Sequence, residues 1–353
     1  MKLNVIDLFS GCGGLSKGFE EAGFNILLGI DNDKDALATF EQNHNNSKAV
    51  NIDLSNIDFL KDINNIIEGE KVDVILAGPP CQGFSLTGPR NFHDPRNSLY
   101  LSVFKSVNYY KPKAFVIENV YGLMTMWKGK VFEEIKSKFS EELNYEVSST
   151  LINMADYGVP QLRKRVFIVG LDKKLKTKFS FPLPSHSKHD YVSCEDALSD
   201  LPSRENTIGE EEEVFNSMPK TAYQKQIRNG STKLYNHVGT DHKDFVKSTI
   251  ALVPEGGNYK DLPKGVGTSR KFNEAWTRYH SKLPSKTIDT GHRNHFHYKW
   301  NRVPTVRENA RLQSFKDDFI FLGSKTRQNF QVGNAVPPLF AEILAKKIKE
   351  YIA

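Results

Sequence analysis

The chain has 353 residues, 39% of them hydrophobic and 25% charged, with a formal net charge of +6. That balance excludes a disordered chain and fits a soluble protein of one large domain or two ordinary ones. No apolar run approaches the roughly 18 residues a membrane span needs, and the N-terminus reads straight into a strand, so no signal peptide is expected. Cys12, Cys81 and Cys194 show no metal-ligand spacing, and the odd count argues against a disulfide framework, so a reducing compartment is expected.

Residues 3–9 read as a strand and meet a turn with Gly11, Gly13 and Gly14, followed by a helix to about Ala22 that Gly23 stops. Strand, glycine turn and helix open a nucleotide-type fold, in which a ligand approaches the backbone near a helix N-terminus. The dinucleotide fingerprint G-x-G-x-x-G fails because Ser16 stands at its third glycine, which disfavours a nicotinamide dehydrogenase. A cofactor without a pyrophosphate, or a plain tight turn, remains. A second strand, 25–30, leads to Asp31, at the distance where a carboxylate accepts from ribose hydroxyls. A helix at 34–43 and a third strand at 49–53 follow. Asp53, at the end of that strand, is either an acceptor for an adenine amino group or a turn residue.

Val74–Ala77 is a buried strand running into Gly78, Pro79, Pro80 and Cys81. Two prolines fix φ and stiffen the corner. At the carboxyl edge of an open α/β sheet such a mounting suits a nucleophile; the other reading is a buried thiol. Residues 85–98 form a polar loop of lid character, and a helix covers 98–109. The strand at 113–117 ends in Glu118, a carboxylate for the same cleft or for a structural ion pair. Residues 130–143 have amphipathic helical spacing, and 145–153 read as a strand. Arg163 and Arg165 alternate on an extended segment and so share a face, to hold a phosphate or a substrate carbonyl, or to be solvated.

Residues 180–300 are rich in Pro, Ser, Asn, Gly and His and read as a second domain or large insertion, loop-rich or β-rich. Residues 210–213 form a solvated acidic run. His292, His295 and His297 lack the accompanying Cys or carboxylate set of a metal site, so polar contacts are expected and no metal. Thr305 and Glu308 form a capping box for a helix over 305–313. Residues 331–338 turn into a final helix, 339–352.

Together these stretches resemble the DNA cytosine carbon-5 methyltransferase family, of the bacterial restriction-modification type. The resemblance rests on DLFSGCGGLSKGF (7–19), GPPCQGFS (78–85), ENV (118–120), QLRKR (161–165), RENARLQSF (307–315) and GNAVPP (333–338), in that order. Only about 180–300 has no match. The resemblance implies a Rossmann-like α/β domain dependent on S-adenosylmethionine, comprising 1–180 plus 329–353, and a smaller loop/β-rich target-recognition domain, 181–328.

It also implies roles for individual residues. Phe9, Gly11, Gly13, Leu15 and Pro79 lie around the cofactor, with Asp31 on the ribose and Asp53 near the adenine. Leu99 and the Asn334–Ala335–Val336 turn complete that pocket. Asp31 is shorter than the Glu often found there, and Asn32 replaces a bulky side chain. Cys81 attacks carbon 6 of a cytosine flipped out of double-stranded DNA, Glu118 holds and protonates nitrogen 3, and Arg163 and Arg165 position the base. A cytoplasmic, monomeric bacterial or phage protein is expected, with a cognate restriction endonuclease acting separately. An RNA cytosine methyltransferase and a silent nucleic-acid-binding module are the rival readings.

Overall fold

The structure, a computed structural model, describes residues 2–80, 98–125, 129–266, 275–291 and 294–353. Cys81 and the expected lid, together with His292, lie outside the described residues. The chain divides into two compact units, one of residues 1–153, 164–183 and 340–353, the other of residues 154–163 and 184–339.

Seven strands form the sheet of the first unit: β1 (Asn4–Leu8), β2 (Asn25–Asp31), β3 (Lys48–Asn51), β4 (Val74–Ala77), β5 (Ala114–Val120), β6 (Tyr145–Asn153) and β7 (Lys164–Asp172). Their order is β3-β2-β1-β4-β5-β7-β6. The first five are parallel, and β7 runs antiparallel to both β5 and β6. The chain steps outward from β1 to β3, then returns to β4 on the other side of β1. The order therefore reverses between β1 and β4, where open α/β sheets bind ligands. Every residue of β4 is buried, as an uninterrupted apolar run in a covered parallel sheet requires.

Helices α1 (Gly14–Glu21), α2 (Lys34–Asn43), α3 (Phe59–Ile67), α4 (Ser98–Tyr110) and α5 (Lys130–Ser137) belong to the same unit. Asp33 caps α2 by accepting from the Asp35 and Ala36 N–H groups. Phe59, Ile63 and Ile67 give α3 a buried stripe at four-residue spacing. After α5 the chain continues in a π-helical turn, Lys138–Glu142, which carries Phe139 to 4.4 Å from the Phe115 ring in the core.

The second unit holds α6 (Cys194–Leu198), α7 (Ala222–Arg228), α8 (Asp244–Ala251), α9 (Val306–Leu312) and α10 (Lys325–Asn334). Its strands are only two or three residues long: Glu212–Val214 with Lys233–Tyr235, Thr277–Arg278 with His295–Phe296, and Ser285–Lys286 with Gln161–Leu162. Loops dominate, and buried charge takes over the work of long ladders. Arg302 donates to both Glu308 oxygens, at 2.8 and 2.6 Å. Arg311 donates to both Asp317 oxygens, at 2.9 and 2.7 Å, and to Asp200. Arg307 is taken up by the carbonyls of Tyr235, Lys316 and Phe319.

The last helix, α11 (Pro338–Ile352), belongs to the first unit from residue 340 onward. Gly18 makes its packing possible, since a Cβ there would lie 2.4 Å from the Ala341 Cβ.

Three sequence expectations are modified. β3 ends at Asn51, so Asp53 lies in the following turn. Residues 331–334 are the last turn of α10, a helix the proline-rich end of this stretch concealed. Residues 154–163 and 329–339 cluster with the second unit, because Arg163 and Gln313 donate to the backbone at 332–335.

Candidate active site

The glycine turn after β1 is built by backbone conformation. Gly11 and Gly13 have φ of +53° and +91°, and Phe9 itself stands at +64°, a left-handed position that a bulky residue adopts only under constraint. Gly13 cannot carry a side chain: a Cβ would meet the His44 Nε2 at 2.3 Å. His44 stacks on Phe40 at 4.2 Å, and its Nδ1 lies 3.1 Å from Glu20. In front of Gly11, by contrast, nothing among the described residues lies within 4 Å of where a Cβ would be, so they leave the backbone of the turn open there.

Asp31 closes this turn against the end of β2. Its Oδ2 accepts from the Gly11 N–H at 2.8 Å and its Oδ1 from the Asp33 N–H at 2.9 Å. Burial raises the Asp31 carboxyl above its ordinary range, opposed by these backbone donors. Each carboxylate oxygen accepts more than one bond, so capacity remains for a ligand hydroxyl. Ser16, which broke the dinucleotide fingerprint, donates to buried Asp7 at 2.6 Å. Desolvation pushes Asp7 up to about 7. Leu15 is buried in the first turn of α1, and Leu99 lies in the first turn of α4. Asp53 is exposed and accepts from the Ser55 N–H and hydroxyl at 2.9 and 2.6 Å, an Asx turn.

The proline corner follows β4, next to β5. Asn119 donates from its amide to the Pro79 carbonyl at 3.0 Å in a buried site. Glu118, one residue earlier, faces the other way. Its Oε2 is 3.8 Å from the position a Gly78 Cβ would occupy, and the Phe9 carbonyl is 3.9 Å from the same point. Its Oε1 meets the Arg165 Nε at 3.1 Å, both side chains keeping 13–15% exposure. The carboxyl ends of β1, β4 and β5 thus bring Phe9, Gly78 and Glu118 together, with Arg165 reaching in from β7.

Arg163 and Arg165 take different partners. Arg165 is the second residue of β7 and pairs with Glu118. Arg163 precedes β7, belongs to the second unit and is buried, donating to the Ile288 and Gly333 carbonyls at 3.3 and 2.9 Å. Alternation places two side chains on one face only when one strand carries both. In the second unit Asn334 is exposed, and the backbone behind it is held by Gln313, which donates to the Val332 and Ala335 carbonyls at 3.1 and 2.7 Å. Val336 is buried.

His297 accepts from the Lys299 and Trp300 N–H groups through Nδ1, at 3.0 and 3.1 Å, and its Nε2 lies 3.6 Å from Glu308. His295 stacks on Tyr279 at 5.3 Å. Among the described residues no group of His, Cys, Asp and Glu could hold a metal ion, and no helix is long and apolar enough to cross a membrane. Asn119, Gln161 and Gln313 are the site residues that reading for chemistry passes over. Their signal is a buried amide inside a motif stretch.

A parallel sheet with an antiparallel β7, a glycine turn after β1 and a carboxylate at the end of β2 define the α/β fold of S-adenosylmethionine-dependent methyltransferases. The open backbone at Gly11 and the spare acceptors of Asp31 fit such a cofactor. The profile of the C-5 cytosine-specific DNA methylase family matches residues 3–350, and the chain belongs to that family. It is a DNA cytosine-5-methyltransferase that uses S-adenosylmethionine.

The chain is similar to the type II methyltransferase M.DdeI of Desulfomicrobium norvegicum, 37% identical over 99% of this chain and 89% of the relative. It is 39% identical to M1.HphI of Haemophilus parahaemolyticus, over 99% of this chain and 87% of that one. A crystal structure described as a DNA modification methyltransferase encoded within an E. coli prophage superposes with a TM-score of 0.81, at 30% identity and 99% coverage of both chains. Dnmt2 of S. pombe shares the fold at 15% identity, with a TM-score of 0.61, over 99% of this chain and 98% of that chain.

Proposed function

We propose that the first unit carries the cofactor and the chemistry, and that residues 181–328 read the bases around the target cytosine in double-stranded DNA. The observation that carries this reading is the Glu118–Arg165 pair, 3.1 Å apart beside Gly78 and still partly exposed.

In this reading Cys81 is the nucleophile. A cytosine inside a duplex is out of reach, so the base is flipped out of the stack. The Cys81 thiolate forms a bond to carbon 6, and the ring electrons move to carbon 5. Glu118 holds the nitrogen 3 edge and gives it a proton as charge develops there. Arg165 fixes Oε1 of that carboxyl, and Oε2, the oxygen nearer Gly78, is the one assigned to the base. S-adenosylmethionine supplies the methyl group for carbon 5. Water takes the carbon-5 proton, its bonding electrons re-form the carbon 5–carbon 6 double bond and expel the Cys81 thiolate, and nitrogen 3 returns its proton to Glu118, which restores the ring. Phe9, Gly11, Gly13, Leu15, Pro79 and Leu99 surround the cofactor, Asp31 takes its ribose and Asp53 its adenine. The second unit carries the Asn334–Ala335–Val336 turn, assigned to the same cofactor by resemblance.

The likeness to type II methyltransferases supports a methylase of a restriction-modification system, working in the cytoplasm as a monomer, with a cognate endonuclease acting separately. Methyl transfer from labelled S-adenosylmethionine to unmethylated duplex DNA, with RNA in parallel and the sites mapped by bisulfite sequencing, tests the reading. Label at cytosines of one recurring short sequence is expected, together with its loss in Cys81→Ala. Transfer surviving in Cys81→Ala overturns the nucleophile, and label confined to RNA overturns the duplex substrate. Sedimentation as a species larger than the 40.1 kDa chain overturns the monomer.

A further inference from the structure

Three motif side chains of the second unit form one directed hydrogen-bond array. The Ile288 N–H donates to the Gln161 Oε1 at 3.0 Å. The Gln161 amide donates to the Leu312 carbonyl at 3.2 Å and to the Gln313 Oε1. The Gln313 amide then donates to the Val332 and Ala335 carbonyls. Because Ile288 offers a donor, Gln161 must turn its oxygen towards it, and that choice orients both amides. Arg163 bridges the same two segments, donating to the Ile288 and Gly333 carbonyls. Gln161 and Gln313 are fully buried and Arg163 is 1% exposed.

The array grips the turn from behind. It holds the carbonyls of residues 332, 333 and 335, while the Asn334 side chain points to solvent. Gly333 completes the fit, since a Cβ there would lie 2.4 Å from the Asp289 carbonyl oxygen. A buried array of this kind favours one arrangement of the segments it joins.

We propose that Gln161, Arg163 and Gln313 are positioning residues for the Asn334–Val336 turn, and that Arg163 serves cofactor affinity without touching the base. This rests on the reading of that turn as a cofactor contact. The two arginines of QLRKR then have separate tasks: Arg165 serves the chemistry at Glu118, and Arg163 sets the turn.

The experiment measures binding of S-adenosylhomocysteine by calorimetry, duplex DNA binding by anisotropy, and kcat at saturating S-adenosylmethionine. The full-length variants are Arg163→Lys, Gln313→Leu and Asn334→Ala. Losing such a buried partner is expected to weaken S-adenosylhomocysteine by about tenfold in Arg163→Lys and Gln313→Leu. DNA affinity and kcat should stay within about threefold, a split that general destabilisation does not produce. Gln313→Leu strips several bonds from a dry site, so Arg163→Lys alone decides if the former does not fold. An unchanged S-adenosylhomocysteine affinity in Arg163→Lys, or a fall in kcat there instead, overturns the positioning role. Weakened binding in Asn334→Ala but not in the other two overturns positioning while keeping the turn as a cofactor contact. Unchanged binding in Asn334→Ala overturns the cofactor reading of the turn, and the proposal with it.

Discussion

Glu118 with Arg165 and Glu308 with Arg302 are the same chemical pair in two settings. Glu118 accepts from Arg165 through one oxygen, and both side chains keep 13–15% exposure. Glu308 is 1% exposed and takes Arg302 through both oxygens, the Thr305 N–H at 2.8 Å, and His297 nearby. The first pair keeps some access to solvent at the edge of a sheet. The second uses every acceptor to close a loop-rich unit around a helix start. The motif that supplies an acid does not tell which task it has; burial does.

The most severe test of this contrast removes the nucleophile. Cys81→Ala is expected to lose methyl transfer altogether while the melting temperature stays within a few degrees, as a binding-only module would not require. Next, breaking a framework ion pair should unfold rather than inactivate. Arg311→Met leaves Asp200 and Asp317 buried without their shared cation, at a cost of about 3–5 kcal/mol, read by urea denaturation. Raised well above its ordinary range by those carboxylates, Arg311 stays charged throughout the accessible pH range.

Acid should act on the second unit in the same way. His237 and His297 are neutral in the fold, held down at about 3 by burial, against 6.5 when solvated. Between these values the unfolded chain binds protons that the native chain refuses. Stability therefore falls as pH drops below 6.5, by about 1–2 kcal/mol per histidine at pH 5. Glu308, held below the ordinary carboxylate range by Arg302 against a large desolvation cost, adds a further loss as pH falls through that range. Thermal melts from pH 7.5 to 5 check this, and His237→Gln should flatten the slope. The smallest effect expected is that of Asp53→Asn, an exposed Asx-turn residue, at about 0.5 kcal/mol in stability. S-adenosylhomocysteine calorimetry on the same variant asks whether the adenine assignment holds.

Much of the first unit was legible because its signals are local. The strand, glycine turn and helix at 4–21 follow one another within a single stretch, and Gly23, at φ +86°, stops the helix where expected. The Thr305–Glu308 capping box was legible for the same reason. That Glu308 also holds Arg302 and His297 was not, since a cap signature is silent about side chains arriving from elsewhere. Arg163 and Arg165 alternate in sequence, but the strand begins at Lys164, and their different partners, the Ile288 and Gly333 carbonyls for Arg163 and Glu118 for Arg165, carry no sequence signal. Ser16 looked like a defect in a fingerprint until Asp7 appeared as its partner. Helix α10 escaped notice because its buried residues are largely Gln and Asn, which give no apolar stripe.

The measurement that tests the contrast most directly takes Glu118→Gln and Glu308→Gln side by side, with turnover and melting temperature read from the same preparations. The account predicts that Glu118→Gln keeps its melting temperature and loses about 10²–10³ in kcat. It predicts that Glu308→Gln loses several degrees of stability and retains near-normal turnover in the fraction that stays folded. A Glu118→Gln enzyme that melts early and still turns over would contradict it.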